Sequence, residues 1–254
     1  MTDDRLGNIR VVLVEPSHPA NVGLAARALK TMGLGRLELV APRTDLGDTA
    51  RSAAAHADDL LERAGQHADL GSALTGATLV VGLSARPRRL GAPVLECREA
   101  AALLAAEAAH QPVAVLLGRE RSGLTNDELL RCHYAARIAA NPDYPVLNLA
   151  AAVQIIAYEL RLAAVSAAPA APPARQSADD ARVQAFLALL RELAGRSGFL
   201  YRHNPDVLMA RLQALFQRAR PEVAELNALH GLLASLGRML EGTRDGSDGG
   251  GPPL

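Results

Sequence analysis

The residues of this chain with the clearest potential for chemistry lie between positions 141 and 160, where an irregular loop runs directly into an apolar helix. Pro142 and Pro145 bias the residues before them away from helical angles, so the loop is expected to stay extended. Asn148 follows at the start of the helix, where its side-chain oxygen can accept hydrogen bonds from the first backbone N–H groups. Such a loop exposes backbone donors and acceptors beside a rigid helix, which suits the binding of a small polar ligand.

Two other loops carry unusual sequences at the ends of predicted strands. Residues 83–89 read LSARPRR and residues 118–123 read GRERSG, and each stretch follows an apolar run. Because ligands in an open α/β sheet bind beyond the carboxyl ends of the strands, we expect these two loops and the loop 139–147 to line one pocket.

Apolar patterning places these loops in an α/β domain. Continuous apolar runs and helical periodicity predict strands at 9–15, 36–40, 78–82, 113–117 and 134–138, and helices at 22–32, 49–64, 99–109, 125–132 and 148–165. Gly33 is expected to end the first helix, and Thr125 with Glu128 to form a capping box. Alternating strands and helices indicate a parallel sheet covered on both faces.

The rest of the chain is predicted to be helical. Residues 166–178 are rich in Ala and Pro and are typical of a linker. Leucines recur at helical spacing through residues 179–242, which predicts a small three-helix bundle, although a helical dimer seam would show the same spacing. Residues 243–254 are predicted to be a disordered tail, so the first domain comprises residues 1–165.

Charge and composition narrow the function classes. Apolar residues make up 49 % of the chain and aromatic residues 3 %, so the core must be aliphatic. The formal net charge is zero, yet residues 182–238 hold eight arginines and only four acidic residues. A basic helical module beside a neutral domain favours an anionic macromolecule as the partner.

Several kinds of site are not expected. The chain has no dinucleotide-binding glycine pattern, no Walker A lysine, no nucleophile elbow and no histidine cluster with metal spacing. Cys97 and Cys132 match no disulfide or zinc pattern and are expected to be buried thiols in a reducing compartment. With no signal-like N-terminus and no membrane-length apolar run, we expect a cytoplasmic protein with no membrane partner and no metal.

Three segments resemble, in order, the three motifs of the SPOUT superfamily of RNA 2′-O-ribose methyltransferases. They are residues 18–33, 117–124 and 141–160, and residues 81–86 and 215–222 extend the resemblance to the TrmJ-type subfamily. The resemblance implies an α/β domain with a trefoil knot near its C-terminal end, followed by a helical RNA-binding or dimerisation extension. It also implies a homodimer in which the partner completes each active site.

The same resemblance implies an activity and a donor site. The expected reaction is methylation of the ribose 2′-hydroxyl of cytidine or uridine at nucleotide 32 of the tRNA anticodon loop, with S-adenosyl-L-methionine as the cofactor. Glycine would let the donor approach the backbone, and two aliphatic side chains could hold its adenine. The implied cofactor-binding residues are Leu83, Ser84, Ala85, Gly118, Ile138, Val146, Leu147 and Asn148.

Catalytic roles follow for Arg27, Asn21, Glu120 and Asn148. In the family the matching arginine is proposed to accept the proton of the 2′-hydroxyl. Because a guanidinium is almost fully protonated at pH 7, a clamp on the ribose phosphate is the physically easier role for Arg27. Two structural roles stay open, Asn21 as a helix cap and Glu120 as a loop anchor to backbone N–H groups.

Five arginines near the same sheet edge are expected to bind tRNA phosphates, with an affinity that falls with salt: Arg86, Arg88, Arg89, Arg119 and Arg121. The third motif departs from many relatives, because Val146 stands where they have serine. Any hydrogen bond from that hydroxyl is missing here.

Other functions stay open. The protein could methylate rRNA or another tRNA nucleotide, bind RNA with weak catalysis, or be a small-molecule α/β enzyme with an accessory bundle. The presence of all four motif polar residues disfavours the loss of catalysis. The missing phosphate-binding and nucleophile motifs disfavour a small-molecule enzyme.

Overall fold

The computed structural model describes residues 4–84, 92–166, 176–202 and 204–245. Within these residues the strands are β1 Ile9–Val14, β2 Arg36–Val40, β3 Gly65–His67, β4 Leu79–Leu83, β5 Val94–Glu96, β6 Val113–Leu117 and β7 Tyr134–Arg137. The α-helices are α1 Asp4–Gly7, α2 Pro19–Met32, α3 Asp48–Ala54, α4 Asp58–Glu62, α5 Leu70–Leu74, α6 Cys97–Ala108, α7 Asn126–Leu130, α8 Leu149–Ser166, α9 Asp180–Arg196, α10 Pro205–Ala219 and α11 Val223–Asp245. A 3₁₀ helix spans Phe199–Arg202.

The seven described strands form one parallel sheet in the order β3-β2-β1-β6-β4-β7-β5. The predicted α/β class and parallel sheet are confirmed, and each of the five predicted strands is present within one residue at either end. Strands β6, β4 and β7 are neighbours in the sheet. The loops that follow them therefore leave the same edge side by side.

The two faces of the sheet are covered differently. Side chains alternate along β1, so that Val11 and Leu13 join the larger core with α2, α6 and α8. Val12 and Val14 join a smaller core on the opposite face with residues of α5 and α7. Those two helices are only five residues long, and the C-terminal helices α9 and α10 pack against them.

Helix α8 is a core helix of the α/β domain. It is long and apolar enough to cross a membrane on length and composition alone, with a mean hydropathy of 1.4. Its inner face is buried, however, and packs between α2 and α6. Its outer face stays exposed.

Helices α9, α10 and α11 form the predicted three-helix bundle. Its core includes Val183, Phe186 and Leu226, and the rings of Phe186 and Phe216 lie 4.8 Å apart between centroids. Two members of the predicted leucine series on α11 are exposed to solvent. Leu229 has 38 % of its residue surface exposed and Leu236 has 45 %. The alternative of a dimer seam on α11 stays a prediction.

The bundle is attached to the second face of the sheet through α7. The guanidinium of Arg131, at the end of α7, donates to the carboxylate of the fully buried Asp180 in α9. Nearby, Gln213 Nε2 donates to the carbonyl of Leu130 at 3.3 Å. These contacts give α7 two roles, covering the sheet and carrying the bundle.

Three details of the sequence prediction were wrong. The helix predicted at 49–64 is two helices, α3 and α4, because Ala55 and His56 adopt left-handed angles with φ of 44° and 74°. Strands β3 and β5 were not predicted, since each is a three-residue strand at a sheet edge with no apolar run. The first helix begins at Pro19 rather than at residue 22.

The other local signals are confirmed. Gly33 ends α2 in the left-handed conformation, with φ of 79°, and Thr125 with Glu128 forms the capping box of α7. Residues 167–175 of the predicted linker and residues 246–254 of the predicted tail lie outside the described residues. The domain boundaries and the trefoil knot stay predictions.

Candidate active site

The described parts of the three loops singled out in the sequence line one cleft at the carboxyl ends of β6, β4 and β7, with only Leu83 and Ser84 described in the first loop. The cleft is open to solvent and encloses about 880 Å³ of space when the adjoining open solvent is included. The predicted convergence of the loops is confirmed. Six of the eight predicted donor-binding residues line the cleft: Leu83, Ser84, Gly118, Ile138, Val146 and Leu147.

The lining suits a ligand that is part apolar and part polar. Leu83, Ile138 and Leu147 contribute aliphatic surface, and the loop 118–124 contributes backbone N–H and C=O groups. Aliphatic walls with a few polar groups are what an adenine ring with a charged tail requires. Of the remaining predicted residues, Ala85 lies outside the described residues, and Asn148 stands beside the cleft rather than in its lining.

Gly118 is required by the loop itself. A Cβ at this position would lie 2.1 Å from the carbonyl carbon of Gly123 and 2.2 Å from the backbone nitrogen of Leu124. The loop closes back on Gly118 at Gly123, which has φ of 69°. The structure thus gives a reason for this glycine that the sequence argument, which invoked ligand approach, did not contain.

One polar side chain from each of the three motifs joins a chain of hydrogen bonds. Asn148 Nδ2 donates to Asn21 Oδ1 at 2.9 Å, and Asn21 Nδ2 donates to Glu120 Oε1 at 3.2 Å. Asn21 is buried, with 8 % of its surface exposed, so both ends of its amide find the partners that burial demands. The chain fixes the start of α2 between the other two motif loops.

Glu120 anchors its loop to the start of α2. Its carboxylate accepts hydrogen bonds from the backbone N–H groups of Ser17 and His18, each at 3.2 Å, and from the Ser17 hydroxyl at 3.0 Å. Burial opposes ionisation of this carboxyl, but these bonds and the one from Asn21 outweigh it and lower the pKa of Glu120. The anchor role considered from the sequence is confirmed.

The two asparagines differ in their helical roles. Asn148 accepts from the backbone N–H groups of Ala150 at 2.9 Å and Ala151 at 3.3 Å, which confirms the predicted cap of α8. The alternative of Asn21 as a cap was wrong, because His18 holds the N-cap position of α2 and Asn21 lies inside the helix. Asn21 bridges the motifs instead.

Arg27 lies on the outward face of α2. At 100° per residue it is rotated by about 120° from Asn21, and its residue is exposed. It is not among the cleft-lining residues, and no described residue forms an ion pair with its guanidinium. Within one chain, therefore, the predicted catalytic arginine faces away from the donor cleft.

The five arginines predicted to bind RNA divide into three groups. Arg119 donates to the carboxylates of Glu15 and Glu128 and is mostly shielded from solvent, a contact set that favours a structural role. Arg121 is exposed and has no hydrogen-bond or ion-pair partner among the described residues. Arg86, Arg88 and Arg89 lie outside the described residues, and phosphate binding by all five stays a prediction.

The two cysteines are free and buried, as predicted. Burial raises the pKa of the Cys97 thiol to about 11, which leaves it protonated and unreactive at neutral pH. Sequence reasoning did not identify Ser17 and His18 as donors to Glu120, nor Glu15 and Glu128 as partners of Arg119. Glu15 follows β1, which lies next to β6, but Glu128 lies in α7, and no sequence signal connected either residue with Arg119.

Comparison with known proteins agrees with this site. Residues 8–158 match the SpoU rRNA methylase family, and residues 181–245 match the C-terminal domain of the tRNA methyltransferase TrmJ. The chain therefore belongs to the SpoU rRNA methylase family. The resemblance to SPOUT RNA methyltransferases of the TrmJ type is confirmed, and the chain is an RNA methyltransferase that uses S-adenosyl-L-methionine.

Individual relatives share most of the chain. The tRNA (cytidine/uridine-2′-O-)-methyltransferase TrmJ of Yersinia enterocolitica is 46 % identical, over 96 % of this chain and 97 % of its own. The crystal structure of TrmJ from Z. mobilis ZM4 superposes with a TM-score of 0.80 at 27 % identity, covering 89 % of this chain and 98 % of that one. A structure described as concerning 2-OH methylation of C/U34 on tRNA has a TM-score of 0.51 at 26 % identity, covering 63 % of this chain and 97 % of that one.

Proposed function

We propose that this protein methylates the ribose 2′-hydroxyl of cytidine or uridine at nucleotide 32 of the tRNA anticodon loop. The substrate class is supported by the TrmJ relative from Yersinia enterocolitica, which is similar over nearly the whole chain. The nucleotide is supported by the TrmJ-type resemblance. The structure that concerns C/U34 is matched over 97 % of its own length by only 63 % of this chain. It therefore leaves more than a third of this chain unmatched, and the presence of the C-terminal bundle favours the TrmJ assignment.

The hydrogen-bond chain from Glu120 through Asn21 to Asn148 carries this proposal. It joins the three motifs through side chains rather than through general packing, at the edge of a cleft lined by both aliphatic and polar residues. Precise positioning is the main demand on the protein in methyl transfer, because the sulfonium of S-adenosyl-L-methionine already activates the methyl group. Fixing the start of α2 to two of the cleft loops at hydrogen-bond distances meets that demand.

Within the cleft, Ile138 and Leu147 would hold the adenine, while the backbone of loop 118–124 would bind its polar groups. Arg27 would orient the ribose by binding its phosphate or would take the proton of the 2′-hydroxyl. The first role requires only a charged guanidinium, whereas the second requires a neutral one, which is scarce at pH 7.

A second copy of the chain would bring Arg27 to a cleft. Helices α2 and α8 lie side by side, since Asn148 bonds Asn21 at their starts and a Cβ at Gly33 would lie 2.8 Å from Arg161 Nη1 at their ends. Their outward faces expose apolar side chains: Leu24 at 41 %, Tyr158 at 48 %, Leu162 at 40 % and Val165 at 65 %. A shared apolar surface of this kind favours self-association, and Arg27 lies on it.

Basic residues support tRNA as the partner. Arg121 is exposed on the rim of the cleft, and the predicted phosphate-binding residues Arg86, Arg88 and Arg89 follow β4, whose end also lines the cleft. On α10, Arg211 and Arg218 are exposed two turns apart and have no ion-pair partner among the described residues. The bundle would thus extend the tRNA-binding surface, and the enzyme would act in the cytoplasm.

Methylation of defined tRNA transcripts tests the proposal. Purified protein and S-adenosyl-L-methionine are incubated with a transcript carrying 2′-deoxyribose at nucleotide 32, and with a matched transcript carrying it at nucleotide 34. Without a 2′-hydroxyl, the modified nucleotide cannot accept a methyl group. We expect the first transcript to lose methylation and the second to keep it, whereas the reverse result would favour nucleotide 34.

A further inference from the structure

The guanidinium of Arg119 joins three elements around the donor cleft. It donates to both carboxylate oxygens of Glu128, at 3.0 and 3.1 Å, and also to the carboxylate of Glu15. Glu15 directly follows β1, Arg119 follows β6, and Glu128 lies in the first turn of α7. A planar guanidinium is suited to this because its fork of donors can bind two carboxylates at once.

We propose that Arg119 is a positioning residue for methyl-donor binding, because it holds the loop 118–124 in the shape that forms one wall of the cleft. The inference rests on the proposed function in one respect, that the cleft binds the donor. It replaces the phosphate-binding role that the sequence had suggested for this arginine.

The loop is fixed from both sides by consecutive residues. Arg119 reaches Glu15 and Glu128, while Glu120 reaches the start of α2. The turn is closed by a hydrogen bond from the backbone N–H of Gly123 to the carbonyl of Arg119 at 2.8 Å. Since nearly every residue from 117 to 124 lines the cleft, a shift of this loop changes the shape of the donor site.

The charges around Arg119 are already balanced. Glu15 is also paired with Arg43, so two arginines face two carboxylates. The side chains of Arg119, Glu15 and Glu128 are only 20, 19 and 13 % exposed. To bind an RNA phosphate, Arg119 would have to give up two shielded carboxylates, and removing one partner of such a pair is costly.

Arg121 offers a matched control two positions along the same loop. It is exposed and unpaired among the described residues, so it shares the loop and the charge of Arg119 without its carboxylates. The comparison of Arg119→Gln with Arg121→Gln in the full-length protein therefore separates loop positioning from phosphate binding.

Calorimetric titration with S-adenosyl-L-methionine gives the first readout. We expect Arg119→Gln to weaken donor binding about tenfold or more, the loss typical of a charge-assisted pair, and Arg121→Gln, which leaves the contacts with Glu15 and Glu128 in place, to weaken it far less. At saturating donor, kcat of Arg119→Gln should stay within about threefold of wild type while KM for the donor rises. A general loss of folding would lower kcat as well.

The salt dependence of tRNA binding gives the second readout. Arg121→Gln should reduce the slope of log affinity against log salt by about one, and Arg119→Gln should leave the slope unchanged. Arg119→Lys should restore donor affinity only in part, because an ammonium cannot bind two carboxylates in the same fork.

Unchanged donor affinity in Arg119→Gln, or a reduced salt slope without a donor defect, would overturn the inference. If Arg119→Gln does not fold, the test passes to Glu15→Gln, which removes a carboxylate partner of Arg119 and is also expected to weaken donor binding. Wild-type donor affinity in Glu15→Gln would equally overturn the inference. Wild-type protein that does not bind the donor would instead contradict the proposed function.

Discussion

Residue type and sequence position do not distinguish the roles of Arg119 and Arg121. In the sequence they are equivalent, two arginines in a glycine-bounded loop, and both were predicted to bind RNA. Their difference comes from partners at distant positions, since Glu15 lies 104 residues away and Glu128 lies 9 residues away. The pairing of β1 with β6 brings Glu15 to Arg119, and helix α7 brings Glu128 back to it, so no local pattern distinguishes the two arginines.

The motif asparagines were more predictable. A loop with two prolines that ends at Asn148 specified a helix cap through local backbone rules, and the cap is present. The bond from Asn148 to Asn21 spans 127 residues, and only the fold creates it.

For Arg27, replacement by alanine is expected to abolish methylation and to leave S-adenosyl-L-methionine binding intact. The side chain lies outside the donor cleft of its own chain, so the donor does not require it. Loss of a group that orients the hydroxyl or takes its proton should lower kcat about a hundredfold or more. Calorimetry and single-turnover assays with saturating tRNA measure both effects.

Arg27→Lys is the matched control, because it keeps a positive charge that can still bind a phosphate, at least in part. Turnover at the wild-type rate in Arg27→Ala would remove this arginine from the mechanism.

Among the elements, α7 connects the donor site to the bundle although it has only five residues. Its first turn holds Glu128, the partner of Arg119, and its end holds Arg131, the partner of Asp180. The sequence predicted this helix correctly from its capping box. The sequence did not predict which residues α7 contacts, because Arg119 and Asp180 lie outside the helix.

The turn after α7 makes stability depend on pH. His133 is buried, and its Nδ1 accepts the backbone N–H of Val80 at 3.0 Å. Burial, together with the nearby charge of Arg220, lowers the pKa of His133 to about 3. In the unfolded chain a histidine takes up a proton near pH 6.5, so the unfolded state binds more protons than the folded state between these two values.

Stability is therefore expected to fall as the pH drops from about 6.5 towards 3, by about 1.4 kcal/mol per pH unit from this group. His133→Asn keeps an acceptor for Val80 but does not titrate in this range, and it should reduce the fall. Urea unfolding at about pH 7.5 and about pH 5, each about one unit or more from both ends of the window, measures the difference. The exposed His110 supplies the control His110→Asn, which should behave as wild type; equal pH slopes in all three proteins would contradict the prediction.

On the scale of the whole molecule, two exposed apolar surfaces are candidates for the interface of the predicted homodimer. One is the outward face of α2 and α8, and the other is the exposed face of α11. We expect Leu162→Glu on α8 to shift the protein from dimer to monomer, because burying an unpaired charge in an interface is costly. Light scattering after size-exclusion chromatography measures the shift.

Leu236→Glu on α11 is the matched control and should leave the dimer intact. The opposite pattern, dissociation by Leu236→Glu alone, would place the interface on the bundle and would leave Arg27 without a partner cleft.

The architecture was predictable from apolar patterning because five strands are long and buried. The two edge strands were missed because three residues give no pattern, and the break between α3 and α4 because Ala55 and His56 give no sign of left-handed angles. Likewise, the loops of the site could be predicted to converge, since they follow strands. The ion pairs of Arg119 and the hydrogen bonds of Asn21 within the site could be identified only from the folded structure.

The loops that follow β4, β6 and β7 are proposed to form one donor cleft for ribose methylation of tRNA. Mass mapping of tRNA from a strain that lacks the gene, with and without the wild-type gene restored, tests it most directly. The account predicts that nucleotide 32 loses its 2′-O-methyl group in the deletion strain and regains it on restoration. Full methylation of that ribose in the deletion strain would contradict it.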